Sequence, residues 1–167
     1  MDTIVKLAKE AVENYVQHHT VMIPEYLDEE MSQKAGVFVS LKIEGQLRGC
    51  IGTFEPVQPN IAEEVVANAI SSATRDPRFY PVSTSELPLL EYSVDVLTHP
   101  VPVDDPAELD PKRFGVIVES SGRRGLLLPD LEGVDTVADQ IAICRQKAGI
   151  HSWEEVRLSK FEVKRFK

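Results

Sequence analysis

The stretch GVFVSLKIEGQLRGCIGTF, residues 36–54, decides the fold. Val37, Val39, Leu41 and Ile43 alternate with Phe38, Ser40 and Lys42, so residues 36–43 predict a strand with one aliphatic face. Glu44-Gly45-Gln46 reads as a turn, and LRGCIGTF (47–54) as the returning strand of a hairpin. Alternation puts Arg48, Cys50 and Gly52 on one face, and Leu47, Gly49 and Ile51 on the other. A three-residue loop pairs Ile43 with Leu47, Leu41 with Gly49 and Val39 with Ile51, which gathers the aliphatics on one side. The same register sets Lys42 opposite Arg48 and Ser40 opposite Cys50. A two-residue loop flips one strand against the other and exposes aliphatics, so the longer loop is expected.

Working outward, residues 3–18 predict an amphipathic helix with Ile4, Leu7, Ala11 and Tyr15 in one stripe and Asp2 as N-cap. A loop containing Pro24 precedes the hairpin. A second helix is expected from Ile61 to about Arg75, opened by Asn60 and Glu63 and stopped by Asp76-Pro77. EYSVDVLT (91–98) predicts a strand with Tyr92, Val94 and Val96 inward. The proline-rich stretch 99–111 reads as a connector. Beyond it the pattern recurs. Gly115-Val116-Ile117-Val118 echoes Gly36-Val37-Phe38-Val39, and Arg124-Gly125-Leu126-Leu127 echoes Arg48-Gly49-Cys50-Ile51. A third helix follows, Thr136 to Ala148, with Gly149 as its stop. A final strand is expected within 156–166, with a bulge near Ser159–Phe161. The fold class is therefore α+β: antiparallel sheets with flanking helices, in two lobes produced by a hairpin-plus-helix duplication with a cleft between them. Residues 1–167 are expected to form one domain, its two subdomains joined near 99–111.

Bulk properties narrow the function. A chain of 167 residues with 43% hydrophobic and 27% charged residues can bury a core without staples. No stretch approaches the roughly 20 apolar residues needed to span a bilayer. The first residues read as a helix and not as a signal peptide, which leaves the cytoplasm as the expected location. Two cysteines, Cys50 and Cys144, lack zinc-ligand spacing and are expected to stay reduced. A formal net charge of −9 opposes nucleic-acid binding, which depends on neutralising phosphates. The locally basic tail RLSKFEVKRFK reads as a strand with a solvated edge.

The polar face of the hairpin is the candidate site. Cations beside a thiol favour its thiolate, which makes Cys50 the candidate nucleophile. Arg48 offers a planar fork suited to a carboxylate or phosphate. Lys42 and Ser40 would line the same face, and Gly49 and Gly52 suit the close approach of a ligand or of another backbone. The corresponding position of the second copy holds Leu126, so the scaffold itself needs no cysteine there. The same residues also fit packing, because free cysteine is among the most buried residue types. Cys144 completes a stripe with Val137, Ile141 and Ala148 and reads as core.

The hexapeptide Leu47-Arg48-Gly49-Cys50-Ile51-Gly52, preceded by GVFVSLK, resembles the hallmark of the AMMECR domain family. Further matching pieces run in order along nearly the whole chain: Ala73 with Asp76–Pro81, Glu86-Leu87-Pro88, Val94–Thr98, GLLLP at 125–129, and Lys147-Ala148-Gly149. The resemblance implies a two-lobed α+β fold with a cleft and carries no assigned reaction. It implies a step in a modification pathway shared with Memo-type and radical-SAM partner proteins; transcriptional and translational roles have also been suggested for the family. It makes Asp76, Arg78 and Phe79 second candidates, with Asp76 pairing Arg78 or Arg48; His99, beside Pro100, is the candidate base for Cys50. Two functions follow as expectations. One is a cytosolic enzyme or enzyme-system subunit, with Cys50 as nucleophile and Arg48 holding an anionic group. The other is a non-catalytic binding module for a small anionic ligand or a partner protein. No cofactor or metal is indicated, and neither the substrate nor the oligomeric state is legible.

Overall fold

Residues 3–18 bury one stripe and expose the other, and in the computed structural model, which describes residues 1–25 and 27–167, they form helix α1 (Thr3–His18). Ile4, Val5, Leu7, Ala8, Ala11 and Val12 are buried. Asp2 takes the N-cap position, but its side chain makes no capping bond. Its carbonyl accepts from the Val5 and Lys6 amides instead. The remaining elements of the first unit are β1 (Val37–Ile43), β2 (Gln46–Thr53), α2 (Ile61–Thr74), β3 (Leu90–Leu97) and, from the far end of the chain, β8 (Val163–Phe166). The sheet order is β2-β1-β3-β8, and the β1 pairings are antiparallel. Both helices lie against this sheet, and Val37, Val39, Leu41, Val65, Ala69 and Val94 fill the interface.

The hairpin corrects the expected loop. Glu44 (φ 51°) and Gly45 (φ 77°) are both left-handed, which makes a two-residue turn whose twist suits antiparallel strands. Ile43 then pairs with Gln46 and Lys42 with Leu47, before the register shifts so that Leu41 meets Gly49, Ser40 meets Cys50 and Val39 meets Ile51. The register of the core half is thus the expected one. A β-bulge at Arg48 absorbs the extra residue. Lys42 consequently faces Leu47 and not Arg48, and Leu47 lies exposed instead of joining the aliphatics.

The second unit is Thr98–Val163. It holds β4 (Val101–Val103), β5 (Gly115–Ser120), β6 (Arg123–Leu127), α3 (Val137–Ala148) and β7 (Arg157–Phe161), with sheet order β4-β7-β5-β6. Two expectations change here. The stretch 99–111 is more than a connector, because Val101–Val103 pairs with Leu158–Lys160; proline is tolerated on such an edge strand. The closing segment is two strands in different sheets, interrupted at Glu162, and not one bulged strand. α3 begins as expected, with the Thr136 hydroxyl accepting from the Asp139 amide, and ends on left-handed Gly149. Cys144 is fully buried against Val116 and Val118, as its stripe predicts.

The two hairpins share one packing device. A Cβ on Gly49 would stand 2.1 Å from the Ser72 carbonyl oxygen of α2, and one on Gly125 would stand 2.0 Å from the Cys144 carbonyl oxygen of α3. Each glycine therefore lets a helix backbone settle directly on its strand. The second hairpin turns through Ser121 (φ 48°) and Gly122 (φ 77°) and keeps an unbroken register, with Val118 opposite Gly125. Gln46, Leu47 and Arg48 separate turn from glycine in the first hairpin, whereas only Arg123 and Arg124 do so in the second. That added residue is what the bulge at Arg48 accommodates.

Candidate functional site

The bulge sets the direction of Arg48. Its Nε and Nη2 donate to Glu86 Oε2 and Oε1 at 2.7 and 3.1 Å, a bidentate pair. Glu86 is held in turn. It sits in a 3-10 turn (Thr84–Leu89) and accepts from the amide and hydroxyl of Ser83. These donors hold its carboxyl down to about 2, with Arg48 the largest cause. Glu86 was not among the expected site residues, although Ser83-x-x-Glu86 is a capping-box signature that could have drawn notice. Its pairing across 38 residues had no local signal.

Asp76, just past the end of α2, is the second anchor. Its side chain is 1% exposed and accepts from the Cys50 amide at 3.0 Å, the Arg78 amide at 3.1 Å, and Arg78 Nε and Nη2 at 3.0 and 2.7 Å. The Arg78 hydrogen bonds lower its carboxyl to about 2 against the opposing effect of burial. Of the two expected partners Asp76 takes Arg78, while Arg48 takes Glu86. Arg78 Nη2 also lies 3.4 Å from the Cys50 carbonyl oxygen. Ser72 completes the latch: its hydroxyl accepts from the Ile51 amide at 2.9 Å and shares its one proton between the Val39 and Asn68 carbonyl oxygens, each at 2.8 Å. The LRGCIG strand is thus fastened to α2 and the segment after it by one carboxylate and one hydroxyl.

Cys50 is half-buried on the opposite face of β2 from Gly49, with its Sγ 3.3 Å from Ser40 Oγ. Burial raises the thiol above its ordinary pKa. The Ser40 hydrogen bond and the Arg78 charge pull it down, and the carboxylates of Asp95 and Asp76 push it up. The expected thiolate stabilisation is therefore outweighed by desolvation. Lys42, exposed and opposite Leu47, contributes nothing to it. The glycines serve the protein's own packing: Gly49 meets Ser72, and a Cβ on Gly52 would overlap the Phe38 ring at 2.3 Å. His99 is exposed and makes no hydrogen bond among the described residues. No cluster of three or more His, Cys, Asp or Glu side chains able to hold a metal occurs among the described residues.

Beside the latch lies an open depression of about 700 Å³, lined by Arg48, Pro77, Arg78, Phe79, Tyr80 and Pro81. The guanidinium carbons of Arg48 and Arg78 stand 5.9 and 5.4 Å from the Phe79 ring centroid, so the ring is flanked by two cations. Both arginines spend two nitrogens on carboxylates. Arg78 nevertheless leaves 56% of its side chain to solvent, and Tyr80 is 91% exposed. The arrangement is held by paired carboxylates, close to charge-compensated, and rich in proline and aromatic surface. Chemically it suits recognition better than proton or group transfer. Nothing in the sequence pattern marks Tyr80, because the exposure of an aromatic beside a proline has no periodicity to reveal it.

Known proteins resemble this chain along most of its length. A protein from Thermotoga maritima is 52% identical over 167 residues, covering 98% of this chain and 96% of its own. One from Clostridium acetobutylicum is 50% identical over 99% of this chain, which spans only 36% of that longer relative. The crystal structure of an uncharacterized protein from Pyrococcus horikoshii superposes with a TM-score of 0.89 at 33% identity, covering 97% of this chain and 88% of that one. Residues 5–166 match the AMMECR1 family, and the chain belongs to it.

Proposed function

We propose that this protein is a non-catalytic recognition module whose contact surface is the Arg48–Arg78–Phe79–Tyr80 depression, and that it docks a partner protein through an acidic side chain and an apolar neighbour. The observation that carries the reading is the carboxylate latch: Asp76 and Glu86 fix both guanidiniums beside Phe79 without burying them completely. A preorganised cation–aromatic surface loses little entropy on binding. Exposed Tyr80 supplies the large contact area typical of interface anchors. The unused guanidinium N–H groups of Arg78 can donate to a carboxylate that approaches over Phe79. A domain found both at nearly full chain length and as about a third of a longer relative behaves as a transferable module. Memo-type and radical-SAM proteins, which the family resemblance suggests, are the first partners to try.

The alternative enzyme reading rests on the half-buried Cys50 beside Ser40 and Arg78. The raised thiol, and the engagement of the nearby carboxylates Asp76 and Asp95 by Arg78 and Arg165, weigh against a nucleophile at neutral pH. Purified protein carrying Arg78→Ala or Cys50→Ser, tested for capture of those two candidate partners, separates the readings. The module reading expects Arg78→Ala to lose the partner and Cys50→Ser to retain it. Retention by Arg78→Ala, with loss in Cys50→Ser, would overturn it.

A further inference from the structure

The connection from α3 to β7 displays an aromatic pair that its own packing does not use. Trp153, the sole tryptophan of the chain, is 79% exposed. Its ring stacks on the exposed His151 ring, with centroids 5.5 Å apart and planes 6° from parallel. The loop beneath them is clamped. Arg145 Nη1 donates to the carbonyls of His151 and Glu154 at 2.6 and 3.0 Å. Arg123 donates to the Gly149 carbonyl at 2.7 Å and pairs with Glu154, whose other oxygen accepts from the His151 amide at 2.6 Å. These bonds explain why the loop is ordered. None involves the indole, so they do not explain why a tryptophan stands in water.

We propose that His151 and Trp153 form a docking platform for a lysine- or arginine-bearing segment of a partner protein. Tryptophan is the best aromatic acceptor of a cation, and stacking on His151 fixes its plane in advance. The charge around it selects the same occupant. Arg123 pairs with Glu154, Arg145 is turned inward onto backbone carbonyls, and Arg157 pairs with Glu119. Glu155, two residues past Trp153, is exposed and makes no ion pair or hydrogen bond among the described residues. The whole chain carries a net charge of −9, which draws a basic segment toward it. This surface belongs to the second unit and stands or falls independently of the Arg78 depression.

The full chain, titrated with acetylated hexalysine amide, provides the test, because emission from the single tryptophan reports this surface alone. Hexalysine is expected to shift the emission saturably, and hexaglutamate is not. Calorimetry with Trp153→Ala, whose net charge is unchanged, should show affinity weakened by about fivefold or more. Glu155→Gln should weaken it by about two- to threefold. Circular dichroism confirms that both variants are folded. Equal affinity in Trp153→Ala would mean diffuse attraction to an acidic chain and would overturn the platform. So would an unresponsive wild type, or self-association that Trp153→Ala abolishes, since the occupant would then be a second copy.

Discussion

Replacing Gly49 by alanine puts one methyl group where α2 rests on β2. The added Cβ would lie 2.1 Å from the Ser72 carbonyl oxygen, whereas ordinary contact begins at 3.4 Å, so the helix backbone must retreat by the difference, about 1.3 Å. That retreat pulls on the Ser72 hydroxyl, which bridges Ile51 and Val39 at 2.9 and 2.8 Å. Overpacking costs about 1–3 kcal/mol, and a stretched buried hydrogen bond about 1 kcal/mol more, so the substitution should destabilise the first unit by about 3 kcal/mol. Gly45→Ala is the control. Its φ of 77° is unfavourable for alanine, but open space surrounds it, so the cost should stay near 1 kcal/mol. Because Trp153 reports the other unit, the assay is urea denaturation followed by far-UV circular dichroism, with hydrogen exchange read at the amides of α2, β1 and β2. Equal effects of the two substitutions, or unchanged protection in α2 for Gly49→Ala, would refute the claim that this glycine exists for helix contact.

Two further outcomes follow from the site. Folding lowers Asp76 from 3.8 and Glu86 from 4.5 to about 2 each. The stability they contribute is therefore fully present above pH 4.5 and is lost as pH falls through about 2. The contribution should be about 2 kcal/mol for the nearly inaccessible Asp76 and less for the 26% exposed Glu86. Urea midpoints should drop across that window, and Asp76→Asn should flatten the drop; a midpoint unchanged between pH 4.5 and 2 would contradict the latch. Cys50, with its thiol raised by burial, should react slowly with iodoacetamide at neutral pH, and its rate should climb about tenfold per pH unit to beyond the ordinary thiol range of ~8.5. Peptide mapping by mass spectrometry reads this directly. A plateau already reached by pH 8 would restore the nucleophile.

Periodicity made the helices, the two hairpins and the buried face legible, because Val37, Val39 and Leu41 or Ile4, Leu7 and Ala11 have only one economical way to leave water. Non-local pairing hid the rest. The register expected for Leu41, Ser40 and Val39 holds, yet the loop length does not, since a turn and a bulge together satisfy the same burial that a longer loop would. β4 escaped notice because prolines at 100 and 102 mask an edge strand whose bonds run to β7. Of the candidate residues, Cys50, Ser40, Asp76 and Arg78 do come together, and Arg48 joins them around Phe79. Lys42 stays apart. The charge state was the least legible part: thiol and guanidinium were visible in sequence, but the pairing of Glu86 with Arg48 and the desolvation of Cys50 exist only once the chain has folded.

The recognition claim is tested most directly by photo-crosslinking from position 80 in living cells. Tyr80 is 91% exposed, so a photoreactive phenylalanine analogue there leaves the fold intact, and Val57, 71% exposed in the same unit, serves as the control position. A docked partner should give a discrete covalent adduct from position 80 that disappears when Arg78→Ala is added, with none from position 57. The same adducts from both positions, or an adduct from position 80 that survives the loss of Arg78, would contradict the recognition claim.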